Sequence, residues 1–113
     1  MPGNTSRHLV AIPQMPVERA RGWCFTLNNP NGWDEVDKAS LRTAAQYLCI
    51  GKEVGESGTP HWQGFCYFRE RKSFLQVKEF FARAHWERQR GSNNQAIDYC
   101  QKDGDWEEWG DRP

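Results

Sequence analysis

A chain of 113 residues fits one domain with one modest core, and it contains neither a run of about 18 apolar residues able to cross a membrane nor the basic, apolar, small-residue order of a secretory signal. The 15 Lys and Arg cancel the 15 Asp and Glu, which taken as a sum argues against a nucleic-acid partner. Its distribution argues the other way: residues 69–90 carry seven cations against three acids, net +4, and residues 98–113 carry six acids against Lys102 and Arg112, net −4.

The six Trp, three Tyr and six Phe supply enough large side chains for a globular core. Cys24, Cys49, Cys66 and Cys100 form no C-x-x-C pair, so they read as reduced core thiols in a soluble protein of a reducing compartment, not as a zinc ribbon or a disulfide framework.

Residues 1–20, with Pro2, Pro13 and Pro16 and no clean periodicity, read as a flexible leader before a domain spanning 21–110. "GWCFTLN" alternates Trp23, Phe25 and Leu27 with Cys24, Thr26 and Asn28, the mark of a strand, and "NPNG" is turn chemistry. Asp34 is a candidate cap for a helix to about Gln46, with Val36, Leu41 and Ala44 or Ala45 as its apolar stripe. "YLCIGKE" and "HWQGFCYF" follow as strands around the Gly-rich loop "VGESGTP". Ser73 caps a second helix bearing Phe74, Val77, Phe80 and Phe81, "AHWERQR" is a short strand, and "GSNNQAIDYCQKDG" is a further helix. "WEEW" ends the pattern as an edge strand or an unpaired end. The order β-α-β-β-α-β with one extra helix predicts an α+β fold of the ferredoxin-like, RRM-like kind: an antiparallel sheet of about five strands with two helices on one face and the extra helix near the other.

Joining the second and third strands symmetrically through residues 54–60 sets Glu53 opposite His61 and Gly51 opposite Gln63, so that Glu53, His61 and Gln63 converge on one face. Leu48, Ile50, Trp62, Cys66 and Phe68 then fall on the other face, toward the helices. One carboxylate, one imidazole and one amide oxygen form a half-open shell suited to Mn²⁺, with Mg²⁺ usable. The same residues read equally as an exposed His and Gln pairing with a glutamate. Tyr99 shares a helix face with Gln95, Ala96 and Lys102, and a helix laid across the uncovered sheet face would bring it toward Glu53, His61 and Gln63. A free phenol is only about 0.1% ionised at pH 7, so a nucleophilic tyrosine needs a polarised electrophile and a nearby ammonium, for which Lys102 is the candidate. A tyrosine that simply anchors its helix is the alternative.

His61, Cys66, His85 and Cys100 do not make a zinc set, because His61 and Cys66 fall on opposite faces of one strand. The chain has no phosphate loop of the G-x-x-x-x-G-K-[ST] type and no G-x-S-x-G elbow, which argues against ATP use and serine hydrolysis. Phe65 and Tyr67 on the face of His61 could stack nucleobases or be buried by the covering helix.

"FTLNN" (Phe25 to Asn29), "PHWQGF" (Pro60 to Phe65) and "YCQK" (Tyr99 to Lys102) together resemble, in order and spacing, the three motifs of the HUH endonuclease domain of rolling-circle replication initiator (Rep) proteins from circular single-stranded DNA viruses, most closely the circovirus kind. The match runs from about Arg21 to Asp105. The resemblance implies that Tyr99 attacks a DNA phosphodiester, giving a 5′-phosphotyrosine and a free 3′-OH, with Lys102 assisting. It implies that His61, Gln63 and an acid near the end of the preceding strand hold Mn²⁺ or Mg²⁺. Glu53 fits that acid by register, with Lys52 beside it. Trp62 stands where leucine is more usual in the family, which bears on packing.

The resemblance further implies single-stranded DNA at a viral origin stem-loop as substrate, host replication machinery as partner, the host nucleus as location, no membrane, and a helicase domain downstream in the full-length protein, where oligomerisation would also arise. Thr26, Asn28, Arg69, Arg71, Lys72, Arg88 and Arg90 are the candidate DNA contacts. The rival reading is a non-catalytic single-stranded nucleic-acid-binding module of RRM-like fold, with a protein-interaction scaffold behind it. The chain lacks the K/R-G-F-G-F run of RRM proteins.

Overall fold

The computed structural model describes residues 18–113; most of the leader expected over 1–20 lies outside the described residues. The elements are β1 (Arg19–Asn28), α1 (Gly32–Ala44), β2 (Ala45–Val54), β3 (Pro60–Ser73), α2 (Phe74–Lys78), β4 (His85–Arg88), α3 (Asn93–Gln101) and β5 (Trp106–Gly110). All pairings are antiparallel, and the strands lie in the order β4-β1-β3-β2-β5. This is the expected α+β sheet, with "WEEW" resolved as the edge strand β5.

Strand alternation divides the molecule into two layers. Trp23, Phe25 and Leu27 of β1, Leu48 and Ile50 of β2, Trp62, Cys66 and Phe68 of β3 and Trp86 of β4 meet Leu41 of α1 and Val77 and Phe81 of the α2 region in the larger core. Each such side chain contributes roughly 1.5–3 kcal/mol by leaving water. Phe25 lies 5.2 Å from Phe81 and 4.9 Å from Trp86, centroid to centroid, in tilted pairs. The smaller core, on the other face, packs Tyr47, Cys49 and Phe65 under Ala96, Ile97 and Cys100 of α3. All four cysteines are free.

Several local expectations shift. β1 begins at Arg19, two residues before Arg21. Asn31, not Asp34, caps α1, accepting from the amides of Trp33 and Asp34, while Asp34 sits at the third helical position and accepts from the Asn31 amide at 2.8 Å. Asp34 is buried because Arg83 pairs with it, and the same guanidinium donates to the carbonyls of Asn28 and Asn29. Arg83 therefore ties the β1–α1 turn, where Asn29 is left-handed at φ 52°, to the rest of the chain. Val36 is 60% exposed, leaving Leu41 to carry the buried stripe of α1. α2 spans only Phe74–Lys78, and Phe80 and Phe81 pack from the turn after it.

The third strand is the largest departure. It runs 14 residues, so that "RERK" (Arg69 to Lys72), beyond the end of the expected strand "HWQGFCYF", belongs to it. Extended backbone continues there because the start of β1 pairs with it, Arg19 opposite Ser73 and Ala20 opposite Lys72.

Candidate active site

The β2–β3 hairpin closes through a Gly55 amide bond to the Thr59 carbonyl at 2.9 Å, with Gly58 at φ 83°, a conformation that glycine alone adopts without strain. Its register is the symmetric one: Glu53 opposite His61, Gly51 opposite Gln63, Cys49 opposite Phe65. Glu53 and His61 meet directly, Nε2 to Oε1 at 2.8 Å, and the ammonium of Lys102 takes the other carboxylate oxygen. Burial works to raise the Glu53 pKa, but the bonds from Lys102 and His61 outweigh it and hold the carboxyl below the usual carboxylate range. Lys52 points to the opposite face and pairs with Glu107 at 3.1 Å. Of the two residues at the end of β2, Glu53 is the one in the site.

α3 starts at the Ser92 cap, whose hydroxyl accepts from the Gln95 amide while Gln95 reaches back to the Ser92 amide, a reciprocal capping box. Its inner residues Ala96, Ile97 and Cys100 are buried against the sheet, which turns Tyr99 outward, 54% exposed. The Lys102 ammonium lies 4.3 Å from the centroid of the Tyr99 ring while pairing with Glu53, so this one cation links α3 to the Glu53–His61 pair. Behind Tyr99, Cys49 and Cys100 are buried together in the smaller core, where the neighbouring Cys100 thiol holds the Cys49 thiol below its ordinary range and Cys49 together with burial pushes Cys100 up.

What lets α3 lie this close is Gly51. A Cβ there would stand 1.9 Å from the Cys100 carbonyl oxygen, a backbone atom with no rotamer to escape into. Reading for charged and aromatic side chains passes over such a position; the available signal is a glycine inside an otherwise apolar strand, which marks close backbone approach.

A cleft of about 500 Å³ opens between α3 and the β4 side of the sheet, lined among others by Thr26, Gln63, Glu87, Arg90, Gln95 and Tyr99. Thr26 donates to Gln63 Oε1 at 3.0 Å. Glu87 is a cleft residue that sequence spacing does not single out, because it lies on β4, while Gln95 enters from the helix face it shares with Tyr99. A second opening, also about 500 Å³, reaches Glu53 and His61 from the α1 side past Asn31, Lys52 and Asp105. The candidate set thus divides. Thr26, Gln63, Arg88, Arg90 and Tyr99 line the first cleft, with Arg88 held to Glu18 at 2.8 Å and Arg90 3.7 Å from Glu87. Asn28, opposite His61, is exposed at the same end of the sheet. Arg69, Arg71 and Lys72 are not part of this gathering: they lie eight to eleven residues further along β3 than His61. Phe65 is fully buried beneath α3 and Tyr67 half-buried, so neither offers the open stacking platform considered above.

As a metal shell, Glu53, His61 and Gln63 supply one carboxylate, one imidazole and one amide from adjacent register positions on one face. Among the described residues no group of three His, Cys, Asp or Glu gathers in the manner of a zinc or all-carboxylate site. The donor chemistry fits an oxygen-preferring ion with open positions, provided Lys102 gives up its carboxylate oxygen.

Residues 20–103 match the family model described as "Putative viral replication protein". The chain is 48% identical over 89 residues to the replication-associated protein of pigeon circovirus, covering 75% of this chain and 27% of that protein. It is 40% identical over 95 residues to that of beak and feather disease virus, covering 83% and 33%. It is 39% identical over 90 residues to the master replication protein of subterranean clover stunt virus (strain F), covering 75% and 30%. The chain thus spans a third or less of the length of these relatives. A matched span that takes in "FTLNN", "PHWQGF" and "YCQK" together, on a sheet that brings Glu53, His61 and Gln63 to one face, makes this chain a member of the viral replication protein family, a Rep domain of the rolling-circle initiator kind.

Proposed function

We propose that this domain nicks and rejoins single-stranded DNA at a viral replication origin through Tyr99. The Tyr99 hydroxyl oxygen attacks the scissile phosphorus and gives up its proton, the bond from phosphorus to the 3′ oxygen breaks, and that oxygen takes a proton to leave as a free 3′-OH. The 5′ phosphate stays on Tyr99. Because one phosphoester replaces another, a later 3′-OH can attack the phosphotyrosine and restore the strand without ATP. In the virus this chemistry would start and end rolling-circle replication in the host nucleus, the 3′-OH serving the host polymerase.

The observation that supports this reading is the shared cleft: an exposed phenol on α3 beside Gln63, with Lys102 bridging from its ring to Glu53. Glu53, His61 and Gln63 would hold Mn²⁺ or Mg²⁺, and such an ion supplies polarisation of the phosphate and stabilisation of the charge that builds on it. The chain's own residues do the rest. Gly51 and the buried face of α3 hold Tyr99 over the sheet, Lys102 presents its ammonium to phosphate or leaving-group charge, and Arg88 and Arg90 meet the strand that enters the cleft. The fully buried Phe65 counts against a purely RRM-like sheet reader, which would need that ring exposed.

The test uses the whole chain, Mn²⁺, and a pool of single-stranded oligonucleotides randomised across a central window. Denaturing gels are expected to show a protein–DNA adduct with the wild type and none with Tyr99→Phe. DNA binding with no adduct, across Mn²⁺ and Mg²⁺, would overturn the nicking reading.

A further inference from the structure

The end of the sheet that carries the candidate site is supported differently from its middle. α3 packs on Tyr47, Cys49 and Phe65, whereas the last row of this face sets Asn28 opposite His61 and His61 opposite Glu53. Paired residues share a face, so Asn28 and His61 are neighbours beyond the helix. In that row β1 has a partner strand on one side only. Its ladder with β3 runs to Asn28, but its ladder with β4 ends where Thr26 faces His85.

Arg83 stands where that second ladder would have continued. In an antiparallel pair each step forward along one strand is a step back along the other, so two steps beyond the Thr26–His85 pair set Asn28 against Arg83. The backbone at Arg83 is in a turn, and its guanidinium takes over the task of the missing strand. One terminal nitrogen donates to the Asn28 carbonyl at 3.1 Å. The other donates to the Asn29 carbonyl at 3.5 Å and to the carboxylate of buried Asp34. A rigid fork of donors suits such a spread of acceptors, which a single ammonium does not match.

Both sides of this clamp are fixed. The Lys78 ammonium donates to the carbonyls of Ala82 and Ala84, both at 2.8 Å, and the Trp86 ring nitrogen donates to that of Phe81 at 3.2 Å, so the turn that carries Arg83 is itself pinned. On the other side Asn29, left-handed at φ 52°, donates its amide to the Pro60 carbonyl at 2.8 Å. The residue after Pro60 is His61. A chain of bonds thus runs from the Arg83 turn through Asn29 and Pro60 to His61, whose ring is held from the other side by Glu53 at 2.8 Å. Neutralising Asp34 accounts for one contact of the guanidinium and leaves the two carbonyl contacts unexplained.

We infer that Arg83 is a positioning residue for the nicking face, holding the end of β1 so that Asn28 stays beside His61 where the DNA strand enters. In this role it acts through the Asn28 and Asn29 carbonyls. The inference rests on the nicking reading for what the face does, while the clamp itself is tested without it.

The experiment compares the full chain with Arg83→Lys, with Asp34→Asn, and with Asp34→Asn and Arg83→Met combined. Thermal melts report folding, and hydrogen exchange of the Asn29 amide, followed by NMR, reports the bond to Pro60. DNA binding is titrated by fluorescence anisotropy in a Tyr99→Phe background, on a single strand enriched from a randomised pool by binding to the wild-type chain. Single-turnover adduct formation is measured with Tyr99 intact and Mn²⁺ present. Arg83→Lys keeps a cation for Asp34 but lacks the fork, so its melt should stay near wild type while the Asn29 amide exchanges faster. Its half-saturating DNA concentration should rise about tenfold and its adduct rate at saturation stay within about twofold, a split expected when a contact is misplaced and the reacting groups are kept. Asp34→Asn alone should keep wild-type exchange and DNA affinity. The combined variant leaves no buried carboxylate unpaired, and against Asp34→Asn it should show the same faster exchange and weaker binding. Wild-type exchange and affinity in Arg83→Lys would overturn the inference, leaving Arg83 as a counter-ion only; so would Asp34→Asn reproducing the whole effect. If Arg83→Lys melts early, the combined variant decides. No adduct in the wild type would sink the nicking reading, and the exchange and binding comparisons would still decide this one.

Discussion

The two faces of the sheet are built from the same strands and differ in what they can afford to expose. On the α1 and α2 face, residues such as Phe25, Leu48 and Trp62 are apolar and almost wholly buried, and α1 crosses it with Leu41 in the core. On the α3 face the apolar part stops partway: Tyr47, Cys49 and Phe65 lie under the helix, and Gly51, Glu53, His61, Gln63 and Thr26 continue beyond it. The difference teaches where stability and chemistry divide. A short helix of nine residues covers half a face, and the uncovered half keeps polar groups at the spacing of the strands.

The sharpest way to test that division is to alter each side alone. Tyr99→Phe removes one exposed hydroxyl, so the adduct should vanish on gels while the thermal midpoint stays within about 3 °C of wild type, the expectation for a surface change of under ~0.5 kcal/mol. On the opposite face, Phe25→Ala deletes a ring packed on Phe81 and Trp86 and should cost about 3–5 kcal/mol in urea unfolding; folded molecules that remain should still form adduct.

Two glycines refine the comparison because each clears one face. Gly51→Ala would drive a Cβ to 1.9 Å from the Cys100 carbonyl, whereas Gly64→Ala would drive one to 2.1 Å from the Phe25 ring. Both should destabilise. Only Gly51→Ala is expected to slow single-turnover adduct formation, by roughly tenfold at saturating DNA, as about 1.4 kcal/mol of misplacement of Tyr99 would do. Equal slowing in the two variants would mean that α3 is not separately positioned.

A smaller effect is expected where β5 meets β2. The bonds from Arg112 and then from the Tyr47 hydroxyl hold the Glu108 carboxyl below its ordinary value near 4.5. A carboxylate with a lowered folded pKa stabilises fully above the unfolded value and loses that contribution as pH falls through the folded one. Glu108→Gln should therefore lower the melting temperature slightly at pH 7, and the gap to wild type should close as the pH is taken down below 4.5. A gap that persists unchanged at low pH would assign the loss to packing and not to charge.

Much of this was legible in the sequence, for local reasons. Hairpin closure over residues 54–60 and the period of two were enough to pair Glu53 with His61 and to put Leu48, Ile50 and Trp62 on the opposite face. Ser73 was readable as a cap because a hydroxyl three residues before a free amide is a local matter. The failures were also local. Asp34 read as a cap because Asn31 and Asp34 are both good ones, and the Arg83 guanidinium that buries Asp34 is 49 residues away. "RERK" falls outside the expected strand because four charged residues in a row show no apolar alternation, and the pairing with β1 that extends them comes only with the assembled sheet.

The sequence by itself determined the strands, their faces and the three motifs, since these depend on side-chain period, caps and turns within reach of a few residues. Only the tertiary structure decided that Lys102 would claim Glu53, that Phe65 would be sealed beneath α3, and that Arg69 to Lys72 would stand apart from Tyr99. Those outcomes depend on how closely a helix can approach a sheet and on where a strand ends, and both are set by backbone contacts between residues far apart in the chain, Gly51 with Cys100 and Ala20 with Lys72.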